Sequence, residues 1–350
     1  MSESGYADAA IPHPQSPLLT ALLRDVSRSF YLTLRVLPIA VRPQIGLAYL
    51  LARATDTIAD TELVPLAERL QALQTLRERI AGTRLMPVNF GTLAERQSVP
   101  GERMLLERVE EALGVFNRFT YSDQQRIREV LHTITSGQEL DLTRFHGASE
   151  KSIAALRTEA ELDDYTYRVA GCVGEYWTRV CRAHLFPGTP MDEAKLLHDG
   201  VRFGKGLQLV NILRDLPRDL RQGRCYLPEE RLLAVGLRPA DLLDPVNEPE
   251  FRALYHAYLD MAEAHLAAGW EYTNALPRRF LRVRLACAWP VLIGAKTIEK
   301  LRVVNALDPR LTIKASRGEV RAIILRTLLR YPWSDYWRRL FPASSGRNSS

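Results

Sequence analysis

From Gly204 to Pro228 the chain reads GKGLQLVNILRDLPRDLRQGRCYLP, and its apolar residues recur at helical spacing. At about 100° per residue, Leu209, Ile212, Leu213, Leu216 and Leu220 gather on one side and would anchor the helix in a core. Asn211, Asp215 and Asp219 fall within about 80° of one another, with Gln208 inside that arc. Water is the ordinary partner of such an edge. Pro217 lacks an N–H, so a kink or break is expected between Asp215 and Asp219.

A second stretch argues for something other than water. In Ile45 to Asp60, IGLAYLLARATDTIAD, only Arg53, Asp56 and Asp60 carry charge. A helix apolar around most of its circumference is expected to be buried, and two carboxylates at i and i+4 on it need a cation or hydrogen-bond donors. Hard oxygen ligands of this kind suit Mg²⁺, which is held by one or two carboxylates together with substrate phosphates. The two stretches make sense as facing walls of a metal-diphosphate site.

No stretch alternates apolar and polar residues over a strand's length and no repeat is present, so the expected class is all-α. With 350 residues, 46% of them hydrophobic, a large core can form, and one helical domain is expected. A net charge of +6, mostly from arginine, favours an anionic ligand or a membrane surface. No interleaving of basic and aromatic residues points to nucleic acid. Cys172, Cys181, Cys225 and Cys287 lack CxxC spacing and read as reduced thiols of a cytoplasmic protein. Residues 1–17 lack the features of a signal peptide and read as a disordered lead-in, and 341–350 as a polar tail. Leu285 to Ala295, LACAWPVLIGA, is too short to span a bilayer and reads as a core helix.

In chain order, Leu18 to Leu37 has helical spacing and contains Ser27-Arg28-Ser29-Phe30, where Arg28 is either a surface arginine or a diphosphate clamp. Leu66 to Ile80 is an amphipathic helix. Gly82 to Gly101 is a loop or broken helix. Helices resume to about Phe145. Glu159 to His184 stacks Tyr165 with Val169, Cys172 and Tyr176. Ala170, Gly171 and Gly174 lie on another side, where small residues admit either a neighbouring helix or a bulky hydrocarbon. Arg214, Arg218, Arg221 and Arg224 crowd the acidic edge. Helices follow over Phe251 to Leu276, Phe280 to Val304 and Val320 to Leu329, with Lys314 and Arg317 just before the last.

Taken together, SRSF at Ser27, DTIAD at Asp56, YTYRVAGCVG at Tyr165 and QLVNILRDLPRDLRQGRCYLP at Gln208 resemble the squalene and phytoene synthases over roughly Leu18 to Val320. That resemblance implies a single-domain isoprenoid synthase fold with a central cavity, spanning residues 18–340. It implies Mg²⁺ held by Asp56 and Asp60 opposite Asn211, Asp215 and Asp219. Arg28, Arg53, Arg214 and Arg224 would bind diphosphate oxygens, Gln208 would lie near the metal, and Tyr165 would be the catalytic tyrosine. Proline at position 217 is common among phytoene-type members, which reduces the expectation of a kink.

The reaction implied is the condensation of two farnesyl diphosphates through a cyclopropyl intermediate. In squalene synthases the final cation is reduced by NADPH, and in phytoene and dehydrosqualene synthases it loses a proton. LACAWPVLIGAKTI and TIKASRG resemble squalene-type segments, with Lys314 and Arg317 placed to meet NADPH phosphates, whereas QGRCYLP leans toward phytoene-type enzymes. Squalene synthase is the favoured member. A non-catalytic assembly protein of the same superfamily is the rival, although this chain keeps all the aspartates. A cytoplasmic monomer without a transmembrane anchor, with peripheral membrane contact, is expected.

Overall fold

A computed structural model describes residues 21–27 and 30–341 of the chain. They form two compact units, the first reaching Glu139 and including Arg179–Pro187, the second made of Leu140–Thr178 and the residues from Gly188 onward. Among the described residues the architecture is all-α apart from one two-residue strand pair.

The first unit carries α1 (Leu23–Val26), α2 (Phe30–Val36), α3 (Arg42–Asp60), α4 (Leu66–Ala81), α5 (Gly91–Glu95), α6 (Pro100–Glu107), α7 (Val109–Phe116) and α8 (Tyr121–Arg144) as far as Glu139. Of the stretch Leu18 to Leu37, the described residues include the two short helices α1 and α2, and α5 and α6 show that the expected broken stretch folds into short turns of helix. Helix α3 is central, with α4, α6 and α7 against it. Leu47, Leu50, Leu51, Ala54 and Ile58 on α3 are wholly buried. The expectation of two buried carboxylates needs correction. Tyr49, Arg53 and Asp56 are half-buried and Asp60 is exposed, because residues 49, 53, 56 and 60 share one edge that the packed helices leave open. Asp123 on α8 ties Arg179–Pro187 into this unit: its carboxylate accepts from Arg126 at 2.8 Å and lies 2.8 Å from His184 Nε2.

In the second unit the order is β1 (Ala154–Ala155), α9 (Glu159–Thr166), α10 (Cys172–His184) as far as Thr178, α11 (Glu193–Arg221), β2 (Arg224–Cys225), α12 (Glu229–Leu233), α13 (Glu248–Ala275), α14 (Leu281–Leu301), α15 (Arg317–Arg330) and α16 (Ser334–Arg338). Helix α11 is the axis, with α13 along one side, and its start is capped by Asp192, whose carboxylate accepts from the Lys195 amide at 2.9 Å. Residues Tyr167–Gly171 widen into a π-helical turn between α9 and α10.

The small residues of that turn meet α11 backbone to backbone. A Cβ at Gly174 would lie 1.8 Å from the Gly200 carbonyl oxygen, and one at Gly204 only 2.1 Å from that of Ala170. Helix packing therefore accounts for Ala170 and Gly174. Pro217 does not break α11, which runs through it to Arg221. The Leu213 carbonyl, which would have received the missing N–H, instead accepts from the Tyr255 hydroxyl of α13 at 3.1 Å. Beyond α11, Gly223 turns the chain at φ +80°, where an added Cβ would lie 2.2 Å from the Ser149 amide, so only glycine fits. Strand β2 then pairs in parallel with β1.

All four cysteines are buried and unbridged. Among the described residues no helix is long and apolar enough to cross a membrane, and Leu285, Ala286, Cys287, Ala288 and Val291 of α14 are core residues, as their sequence predicts.

Candidate active site

In the first unit the open edge of α3 is an ion-pair chain. Arg53 donates through one guanidinium nitrogen to Asp56 and through the other to Glu102 of α6. Burial works against the charge of Arg53, but Asp56 and Glu102 outweigh it and hold its pKa above the ordinary value. Burial also disfavours the charged form of Asp56, and repulsion from Asp60 adds to this, so that its pKa rises to about 7 although Arg53 opposes the shift. This carboxyl keeps 41% of its side-chain exposure, so an incoming ligand can reach it. The Tyr49 hydroxyl donates to the Val26 carbonyl at 3.3 Å, tying α3 to α1. Arg28 lies outside the described residues.

The second unit repeats the chemistry on α11. Gln208, Asn211 and Asp215 are half-buried on one edge, and Asp219 at its end is buried. Arg214 grips Asp215 with two parallel bonds of 2.9 and 2.6 Å, and Arg218 bridges Asp215 at 3.3 Å and Asp219 at 3.2 Å. Burial pushes Asp219 up to about 6, with Arg218 and Arg224 pulling it down and Asp215 adding to the rise. Arg224 sits half-buried on β2, brought near Asp219 by the turn at Gly223.

Tyr165 is buried on α9 and stacks on Tyr226, ring centres 4.7 Å apart and planes 23° from parallel. The Tyr226 hydroxyl donates to Asp141 Oδ2 at 2.7 Å, and burial, with Tyr165 and Asp141 beside it, drives its pKa far above the ordinary phenol value. Residue 226 is held there by the short β1–β2 pair. The ring that Tyr165 stacks on thus comes from far along the chain, at position 226. Lys314, ahead of α15, and Arg317, at its start, are both exposed, and Lys300 donates to the Lys314 carbonyl at 3.1 Å.

Sequence reasoning missed Glu102, Tyr226 and Asp141. Tyr226 stands inside the quoted RCYLP stretch, but nothing in its spacing shows what it stacks upon. Glu102 lies in the first turn of a helix just after the stretch read as a loop, and Asp141 is one carboxylate among several on a long polar helix.

The donor chemistry on both helices fits a divalent cation. Asp56 and Asp60 on α3, and Asn211, Asp215 and Asp219 on α11, are hard oxygen donors at i, i+4 spacing, and in each set a carboxylate has a raised pKa that a cation would relieve. Among the described residues no three acidic, histidine or cysteine side chains converge as a complete ligand cage, so waters or phosphate oxygens would complete the shell.

Comparison with known proteins gives a consistent result. Residues 23–317 match the family model of squalene/phytoene synthase. Over 320 residues the chain is 29% identical to the presqualene diphosphate synthase of Rhodopseudomonas palustris, covering 91% of this chain and 97% of that protein. It is 28% identical to the 15-cis-phytoene synthase of Synechococcus elongatus over 274 residues, 76% of this chain and 75% of that one. Its fold is similar to that of TcSQS in complex with the ligand E5700, with a TM-score of 0.73 at 24% identity over 92% of this chain and 90% of the other. The chain belongs to the squalene/phytoene synthase family.

Proposed function

We propose that this prenyltransferase-family protein condenses two molecules of farnesyl diphosphate head to head, forming presqualene diphosphate and, when NADPH is present, squalene. The observation that carries the reading is the pairing of each acidic helix edge with arginine, Asp56 with Arg53 and Asp215 with Arg214. Carboxylates for a cation beside guanidinium groups for phosphate oxygens are what ionisation of a prenyl diphosphate requires.

Arg53 and Arg214 turn from their carboxylates to diphosphate oxygens as substrate enters, and Arg28 and Arg224 add donors. Gln208 and Asn211 orient the head group from the same edge. Asp56 and Asp60 in the first unit, and Asn211, Asp215 and Asp219 in the second, would hold Mg²⁺, which would supply Lewis-acid stabilisation of the leaving diphosphate. The Tyr165 hydroxyl relays the proton lost on ring closure to the departing diphosphate, and its π face steadies positive charge on carbon. Tyr226 and Asp141 fix the ring of Tyr165 for that work.

Reduction to squalene is favoured by Lys314 and Arg317, whose exposed cationic groups share one end of α15 and suit the phosphates of NADPH. The two family relatives named above make different products, so the test separates them. Purified protein is incubated with farnesyl diphosphate and Mg²⁺, with and without NADPH, and products are identified by mass spectrometry. Presqualene diphosphate without NADPH and squalene with it are expected. Presqualene diphosphate under both conditions keeps the condensation and removes the reduction. Dehydrosqualene regardless of NADPH, or phytoene from geranylgeranyl diphosphate alone, assigns a carotenoid-type activity. No product from either substrate supports a non-catalytic assembly role.

A further inference from the structure

The C-terminal helices carry a face that the condensation chemistry does not use. Helix α15 is fixed at its start by Ser316 and Glu319, which cap each other's backbone amides at 3.2 and 2.7 Å, and on its inner side by Thr327, which accepts from Trp289 Nε1 at 3.0 Å. Helix α16 is pinned by Trp337, which stacks on Trp270 and donates to Asn274 at 2.8 Å. Neither helix is a loose end.

Five large apolar side chains along them are nonetheless exposed. Leu325 is 57%, Leu328 46%, Leu329 60%, Trp333 60% and Tyr336 58% exposed. On the helical wheel Leu328, Leu325 and Leu329 span about 100°, Arg321 lies inside that arc, and Arg326 flanks it. Between residues 317 and 341 the chain has six arginines and only two carboxylates, and one of those, Glu319, is held by Lys300 at 2.6 Å.

We propose that this face is the docking surface for an anionic lipid bilayer, with the leucines and the Trp333 and Tyr336 rings entering the headgroup layer and the arginines meeting lipid phosphates. Apolar side chains flanked by arginine, with amphipathic aromatic rings beside them, are the composition an interfacial helix needs. Charge argues against a second copy of the chain, because a symmetric pairing of this face would set arginine against arginine. The inference is independent of which prenyl diphosphate the enzyme uses.

The test is flotation of the full-length protein with phosphatidylcholine vesicles, with and without about one-third phosphatidylglycerol. Binding is expected only to the anionic vesicles, weakening as salt is raised. The variant Leu325→Ser/Leu329→Ser and the charge reversal Arg326→Glu/Arg330→Glu should each lower the partition coefficient about tenfold or more, with unchanged circular dichroism and unchanged turnover of detergent-dispersed substrate. Removal of residues 1–20 should leave binding intact. The proposal fails if wild-type protein does not float, if both variants bind like wild type, or if binding is lost with residues 1–20. It also fails if light scattering shows a dimer that Leu325→Ser/Leu329→Ser dissociates, since a second copy would then cover the face.

Discussion

Tyr165 and Tyr226 lie ring on ring at 4.7 Å, and the Tyr226 hydroxyl donates to Asp141 at 2.7 Å. The anchor sets where the stack sits, and the stack sets where the Tyr165 hydroxyl points. Tyr226→Phe should preserve the stack and lose the anchor, lowering kcat about tenfold with little change in KM, while Tyr165→Phe should cost about a hundredfold or more. Steady-state kinetics on the two variants checks this. Equal, small losses would remove Tyr165 from proton transfer.

Asp56 and Asp219 should make stability, and the cation binding proposed above, depend on pH in a definite direction. Their folded pKa values, about 7 and about 6, lie above the ordinary carboxyl value, so the folded protein binds more protons than the unfolded one between about pH 4 and 7. The metal-free protein should therefore lose stability as pH rises through that window. Asp56→Asn should raise Tm at pH 8 and change it little at pH 5. Mg²⁺ should raise the wild-type Tm at pH 8 and do less below pH 6, where protons occupy the same carboxyls. Thermal melts across pH, with and without the ion, provide the readout.

Tyr255 and Pro217 form a compensating pair. Tyr255→Phe leaves the Leu213 carbonyl unsatisfied in a buried place and should cost about 1–3 kcal/mol. Pro217→Ala returns an N–H to that carbonyl, so the double variant should recover most of the loss. Denaturant unfolding of the four proteins in this cycle measures the coupling, and additive effects would mean that the hydroxyl does not replace the amide.

Glycine positions should divide sharply. Gly174→Ala forces a methyl group into the Gly200 backbone and should destabilise by about 3 kcal/mol or more. Gly114→Ala, at an exposed position of α7, has open space around it and should stabilise by about 0.5–1 kcal/mol. Unfolding free energies of the two variants decide the matter.

What was legible in the sequence was what repeats along one helix. Leu209, Ile212, Leu213, Leu216 and Leu220 announce α11 and its buried side, and all five are buried. Asp56 and Asp60 share an edge as their spacing predicts. Periodicity does not reveal that this edge is open, because exposure depends on which helices pack alongside. Tyr226 on Asp141 and Tyr255 on Leu213 join residues 85 and 42 apart, and no local pattern encodes such pairs. The start of α15 at Arg317 was readable, since Ser316 and Glu319 have capping-box spacing, whereas the apolar run alone places it at Val320.

The contact of Gly174 with Gly200 and of Ala170 with Gly204 joins main chain to main chain, and main-chain shape is the one thing a side-chain substitution elsewhere cannot resize. Tyr165 stands one turn before this junction on α9, and Gln208 one turn after it on α11. The spacing between phenol and acidic edge is thereby insulated from drift in the surrounding side chains. Side chains elsewhere in the second unit can therefore change while Tyr165 and the edge of α11 keep their separation.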